Sequence, residues 1–239
     1  MRRALVTGGS SPIGQAICRS LAEDDFRVII HSHRSGDAAA SVAAELIAAG
    51  AQAELTSFDL TDAGASRGAV EKLLLDGPIQ VLVHNAGTHD DVPFAGMSER
   101  QWHDVMAVSL DGFYNVARPL MLPMMGTRWG RIVAITSVAA VMGNRGQVAY
   151  AAAKAGLHGA VRALSLECAA RGITVNAVAP GIIATPATEA IFDNAKLTAL
   201  VPMKRAGRPE EVADLVAFLA SDKARYISGQ IVSINGGMA

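Results

Sequence analysis

Ala4-Leu5-Val6-Thr7-Gly8-Gly9-Ser10-Ser11-Pro12-Ile13-Gly14 decides the fold. An apolar run, a glycine-rich turn and the first residues of an amphipathic helix follow one another directly, the order in which a β-strand delivers a phosphate-cradling turn to a helix N-terminus. Glycine permits the tight turn and the close approach of a pyrophosphate, and the free N–H groups of the helix start attract its charge. A dinucleotide site is therefore expected at Gly8, Ser10, Ser11, Ile13 and Gly14. Pro12 departs from this pattern, because it supplies no N–H and forces Ser11 out of the helical region. Proline nevertheless suits the first helical position, and the Ile13 and Gly14 donors are expected to stay intact.

Beyond this stretch, short apolar runs recur at Val28–Ile30, Ala53–Phe58, Val81–Val83, Ile132–Ile135, Val175–Val178 and Ile231–Ile234. Their near-continuous hydrophobicity points to strands buried on both faces, as in a parallel sheet covered by helices. Between them lie helical patterns at Ile13–Asp24, Ala38–Ala49, Ala65–Leu75, Trp102–Met125, Tyr150–Ala170 and Glu210–Ala220. The alternation predicts an α/β fold, a single-domain Rossmann-type doubly wound parallel sheet of about seven strands with helices on both faces, spanning residues 1–239. Pro209-Glu210-Glu211 is a good start for the last helix, with proline where no N–H is needed and acids at the positive helix end. Thr185–Arg208 is the least periodic region. It is read as a partly mobile flap over the substrate or as ordinary surface helices.

The chain has 239 residues, 51% of them hydrophobic and 18% charged, with a formal net charge of −1. Such a chain is neither disordered nor fibrous, and exerts no long-range attraction on nucleic acid or an anionic membrane. Cys18 and Cys168 sit among apolar neighbours without metal-ligand spacing and read as buried free thiols of a reducing compartment, with no metal. The apolar run Ala4–Val6 is broken by Gly8-Gly9 and is too short for a signal peptide or a transmembrane span, so a cytoplasmic location is expected.

Two further places carry chemistry. Tyr150 and Lys154 form a Tyr-x-x-x-Lys pair, and Ser137 stands 13 residues before the tyrosine at the end of the run Arg131–Thr136. Residues four apart on a helix share one face, so an ammonium is expected beside a phenol, lowering its pKa from about 10 toward the working range. A serine hydroxyl can then hold a carbonyl oxygen, and the set suits interconversion of C=O and CH–OH beside a hydride carrier. The second strand ends His31-Ser32-His33-Arg34-Ser35, without the acid that would accept a ribose 2′-hydroxyl. Arg34 is placed to meet a 2′-phosphate, which favours NADP(H) over NAD(H).

With these motifs in one order, the chain resembles the short-chain dehydrogenase/reductase family over essentially its whole length. The matching segments are Thr7-Gly8 through Gly14, Asp59-Leu60, Asn85-Ala86-Gly87, Ser137, Tyr150 with Lys154, and Pro180-Gly181 with Thr185. The resemblance implies that Asp59 and Leu60 contact the adenine, that Asn85, Ala86 and Gly87 line the cofactor cleft, and that Pro180, Gly181, Ile183 and Thr185 hold the nicotinamide. It also implies that Tyr150 is the proton donor, that Ser137 positions the carbonyl, and that Lys154 binds the nicotinamide ribose. The family usually has an asparagine where this chain has Ser109, helping to hold a water that links the lysine to solvent. A hydroxyl has shorter reach, so an altered proton relay is expected.

Met142–Gln147, Arg171–Asn176 and the ending Asn235-Gly236-Gly237-Met238 are similar to 3-oxoacyl-[acyl-carrier-protein] reductases within that family. This implies reduction of a 3-oxoacyl chain on an acyl carrier protein, with Arg128 and Arg171 near the active-site mouth as carrier-docking residues, and a homotetramer. Pro12 and Ser109 point to a specialised member serving polyene or polyketide chains. A reductase of free small alcohols, sugars or cyclic ketones, and a catalytically silent nucleotide-binding subunit, are the alternatives.

Overall fold

The computed structural model describes all 239 residues. In chain order the elements are β1 (Arg3–Thr7), α1 (Pro12–Glu23), β2 (Arg27–Ser32), α2 (Gly36–Ala48), β3 (Ala53–Ser57), α3 (Ala63–Leu74), β4 (Val81–His84), α4 (Glu99–Met106), α5 (Gly112–Thr127) and β5 (Gly130–Ile135). They continue with α6 (Ala139–Met142), α7 (Val148–Cys168), β6 (Ile173–Pro180), α8 (Pro186–Glu189), α9 (Asn194–Leu200), α10 (Pro209–Ala220) and β7 (Ile231–Ile234). The seven strands form one sheet in the order β3-β2-β1-β4-β5-β6-β7, and every neighbouring pair is parallel. The chain builds outward from β1 to β3 and then returns to place β4 on the other side of β1. The carboxyl ends of β1 and β4 therefore diverge into a crevice, the position at which doubly wound sheets bind ligands.

The strands that read as uninterrupted apolar runs are the inner ones: every residue of β1, β4, β5 and β6 is buried. One core packs between the sheet and α1, α2 and α10, with Ile17, Leu21, Val42 and Val216 against Val6, Val28 and Ile30. The opposite core sets Leu120, Met124, Leu157 and Val161 of α5 and α7 against Leu5, Leu82 and Ile132. Burial on both faces does not extend to the edges. β3 and β7 are only partly covered, and Leu55 is half exposed, because the outermost strands have less helix over them. On the β3 edge Glu54 instead accepts hydrogen bonds from Arg3 and Arg27, at 2.9 and 2.8 Å.

The long helix expected over Trp102–Met125 differs in two ways. It starts earlier, because Ser98 and Gln101 form a reciprocal capping box that satisfies the first free N–H groups. It is also interrupted by a π-helical segment, Ala107–Asp111, between α4 and α5. The wider turn of such a segment redirects side chains and recurs at functional sites; here it carries the buried Ser109. Thr185–Arg208 contains α8 and α9, both short. Its base is tied to the strand end by hydrogen bonds from Ala184 N–H to the Gly207 carbonyl (2.7 Å) and from Gly207 N–H to the Ile182 carbonyl (2.9 Å).

Two glycines make opposite demands. A Cβ on Gly14 would collide with the Gly8 carbonyl oxygen and lie 2.8 Å from the Gly9 Cα, both backbone atoms. A Cβ on Gly68, inside α3, would meet nothing within 4 Å. Gly68→Ala is therefore expected to stabilise the protein by about 0.5–1 kcal/mol, raising the melting temperature by roughly 1–4 °C. Gly14→Ala should lower it well beyond that margin in the same melting experiment.

Candidate active site

A continuous crevice runs across the carboxyl ends of the strands. Its outer part is lined by Gly8, Ser10, Ser11, the β2 end from His31 to Ser35, Asp59, Leu60 and Asn85–Gly87. Its inner part is lined by Ile13, Thr88, His89, Ser137, Tyr150, Lys154, Pro180, Gly181, Ile183 and Thr185, with Ser11, Asn85 and Gly87 common to both. Except for Gly14 and Ser109, all the residues anticipated for cofactor and catalysis open onto this one crevice.

At the glycine-rich turn, Gly8 takes φ +62°, and a Cβ there would lie 3.0 Å from the Ala86 Cα. Ser11 is extended, as Pro12 requires, and caps α1. Its hydroxyl accepts the Gly14 N–H at 3.1 Å, so of the two donors expected to stay free only the Ile13 N–H has no partner in the protein. Gly14 is buried beneath the turn, where its lack of a side chain admits the Gly8 carbonyl. Asn85 fastens the assembly: its side-chain amide donates to the Thr7 and Gly8 carbonyls and to the Ser11 hydroxyl, at 3.1, 2.9 and 3.1 Å. Arg34 is exposed at the outer end and forms no ion pair. Asp59, across the crevice, accepts both the N–H and the hydroxyl of Thr61, which hold its carboxyl below the usual range.

At the inner end, α7 begins at Val148, so Tyr150 lies in its first turn with Lys154 one turn on. The Lys154 ammonium is buried, 5.9 Å from the centre of the Tyr150 ring, and donates to the Ile135 carbonyl at 2.8 Å. Burial lowers its pKa to about 8. The expected depression of the phenol pKa by this lysine is not what the structure shows. Burial pushes Tyr150 above its ordinary value, the nearby Ser137 hydroxyl works against this, and the charge of Asp91 adds to it. The dominant cause is burial of the phenol, and the Lys154 ammonium is engaged by the Ile135 carbonyl.

Three histidines were not anticipated as parts of this site. His84 is fully buried between the Thr7 hydroxyl (3.2 Å) and the Ser109 carbonyl (3.0 Å). The Thr7 oxygen already accepts the N–H groups of Asn85 and Ala86, so its own hydrogen goes to His84 Nδ1 and His84 Nε2–H donates to Ser109. Burial drops the His84 pKa to about 3, and the ring is neutral. His31 accepts the Gly8 N–H at Nδ1 (3.3 Å) and bonds the Phe58 carbonyl through Nε2 (3.0 Å), supporting the turn from below. His89 faces the inner cavity, edge-on to Tyr150. Histidine at or just after a strand end, as in His31, His84 and His89, was the available signal.

Arg128 and Arg171 lie elsewhere. Each precedes a strand, β5 and β6 respectively, so both occupy the end of the sheet opposite Ser137 and Tyr150. They are near one another, since Gly130 N–H bonds the Gly172 carbonyl at 3.3 Å, but they do not flank the cavity mouth of their own chain. A residue leading into a parallel strand cannot share the end where that strand finishes.

The family model described as Enoyl-(Acyl carrier protein) reductase matches residues 8–239. The chain is 41% identical over 239 residues to 3-oxoacyl-[acyl-carrier-protein] reductase FabG of Aggregatibacter actinomycetemcomitans, covering 98% of each chain. It is 42% identical over 240 residues to the protein of the same name from Escherichia coli (strain K12), covering 98% of this chain and 96% of that one. Nodulation protein G of Azospirillum brasilense is 40% identical over 238 residues, with 98% and 97% covered. The chain belongs to the short-chain dehydrogenase/reductase family.

Within that family Ser109 is the departure to test. Its hydroxyl is buried beside Lys154 and Gly87 and has no hydrogen-bond partner in the protein. An unpaired buried hydroxyl costs roughly 1–3 kcal/mol. Ser109→Ala should therefore be neutral or stabilising by up to about 1 kcal/mol in chemical denaturation, with turnover unchanged. A loss of stability or activity would show that the hydroxyl is engaged.

Proposed function

We propose that the protein is an NADPH-dependent reductase of 3-oxoacyl groups carried on an acyl carrier protein. The observation that carries this reading is the convergence of the Ser137 and Tyr150 side chains and Lys154 on one cavity continuous with a glycine-rich groove ending at Arg34. The full-length relatives named as 3-oxoacyl-[acyl-carrier-protein] reductases support the substrate class. The groove fits a dinucleotide: it has an unpartnered Ile13 N–H at a helix start and a Gly8 at which any side chain would crowd Asn85 and Ala86. When bound, the reduced nicotinamide supplies the hydride. Pro180, Gly181, Ile183 and Thr185 would flank its ring, Lys154 would hold the adjoining ribose, and Asp59, Leu60, Ala86 and Gly87 would border the adenosine half.

Tyr150 donates its proton to the ketone oxygen, and Ser137 holds that oxygen by a hydrogen bond. Two hydroxyls aimed at one oxygen suit reduction of a carbonyl to an alcohol. For the phenol to exchange protons near neutrality, Lys154 must turn from the Ile135 carbonyl toward it, which restores the cation-beside-phenol arrangement. Exposed Tyr114 and Leu122 on α5 and Leu166 on α7 supply apolar surface for a homotetramer, and cytoplasmic residence fits two buried free thiols. No helix is long and apolar enough to cross a membrane. In such a tetramer Arg128 and Arg171 would receive a carrier whose arm enters a partner subunit's cavity, since their own is at the far end of the sheet.

The test is oxidation of NADPH and NADH with 3-oxobutanoyl thioesters, free and carrier-bound. Tyr150→Phe is expected to lower kcat by about 10²–10⁴. Arg34→Ala should weaken NADPH tenfold or more, the scale of a lost charge-assisted bond of about 1.5–3 kcal/mol, while sparing NADH; equal loss for both removes the NADP assignment.

The docking reading has its own measurement. Arg128→Glu with Arg171→Glu should raise KM for the carrier-bound substrate and leave a small thioester unaffected.

A further inference from the structure

Above Tyr150, four polar side chains form a chain of hydrogen bonds that catalysis by Ser137, Tyr150 and Lys154 does not use. Asn144 donates to Gln147 at 2.9 Å, and Gln147 donates to Asp91 Oδ2 at 2.8 Å. Asp91 Oδ1 lies 3.1 Å from His89 Nδ1. A backbone bond from Val92 N–H to the Gly146 carbonyl, 2.9 Å, joins the same two loops. The loop after β4 is thereby fastened to the loop that starts α7, and His89 is held over the cavity with its ring centre 6.0 Å from that of Tyr150. His89 lines the cavity; Asp91 and Gln147 stand behind it.

This arrangement determines what the imidazole presents. A carboxylate can only accept, so Asp91 selects the tautomer protonated at Nδ1, and Nε2 is left as the ring's free polar atom with a lone pair. An acceptor so placed recognises an N–H or O–H donor of the substrate rather than a second carbonyl. A carrier-bound 3-oxoacyl thioester has one such donor close to its ketone. This is the amide N–H of the carrier's thiol arm, separated from the ketone by the α-methylene, the thioester and two further methylenes. That span is of the same order as the distance between the two rings.

We propose that His89 is a specificity residue that accepts a hydrogen bond from this amide N–H, so that the site reads the carrier arm as well as the ketone. The inference rests on the carrier-thioester function argued above and adds a residue to it. Asp91 acts through His89 as a positioning residue.

The experiment compares two small substrates with the same ketone and thioester: the N-acetylcysteamine thioester of 3-oxobutanoate, which has the amide N–H, and its S-pentyl thioester, which lacks it. In His89→Leu, the ratio of kcat/KM for the first to that for the second should fall about fivefold, mainly through KM of the first, as expected for one lost hydrogen bond. His89→Gln, which keeps an acceptor, should retain most of the preference, and Asp91→Asn should shift the ratio in the same direction as leucine. The ratio of the two substrates within one variant is independent of how much enzyme is folded, and His89 is 57% exposed, so its replacement leaves the core intact. Equal effects on both substrates, or none on either, overturn the inference while leaving the reductase in place. A wild-type enzyme that reduces neither thioester overturns the function and the inference together.

Discussion

Everything at the crevice depends on how closely β1, α1 and β4 approach one another. Gly14 packs against the backbone of Gly8 and Gly9, and Asn85, just beyond β4, ties the same turn with its amide. Neither contact tolerates a larger or differently shaped group, because most of the opposing atoms are backbone and cannot rotate away. The approach leaves Gly8, Ser10 and Ser11 lining the crevice. It also decides which donors remain for a ligand, since Ser11 has already taken the Gly14 N–H.

Below that turn the polar groups are arranged for rigidity. Thr7 gathers the N–H groups of Asn85 and Ala86 and passes its own hydrogen to His84, which reaches across to the π-helical segment at Ser109. A neutral histidine saturated at both nitrogens can be buried at little cost, whereas a charged one could not. The wider helical turn and the buried ring thus support each other: the segment offers its Ser109 carbonyl inward, and the ring requires an acceptor there.

Much of this was legible beforehand. Apolar runs located all seven strands, and the glycine turn and the Tyr150/Lys154 spacing located both ends of the crevice. What failed did so for physical reasons. Four-residue spacing establishes that Tyr150 and Lys154 share a helix face, but not where a flexible ammonium points, and it points to Ile135. Motif similarity puts Arg128 and Arg171 near the active-site mouth, whereas each leads into a parallel strand, a position that assigns them to the opposite end of their own sheet. Hydrophobic periodicity starts the helix at Trp102, whereas the Ser98/Gln101 cap, readable from its spacing, starts it at Glu99. The Gln147–Asp91 bond that steadies His89 emerges only when two loops distant in the chain meet.

The bridge between Ile183 and Gly207 brings the two ends of the α8–α9 segment side by side. A loop whose ends are already adjacent can change length or content at an entropic cost that grows only logarithmically. The sheet, the glycine-rich turn and α7 would be untouched by such an exchange. Evolution can therefore swap this excursion as a cassette, giving the same carbonyl chemistry a new set of clients.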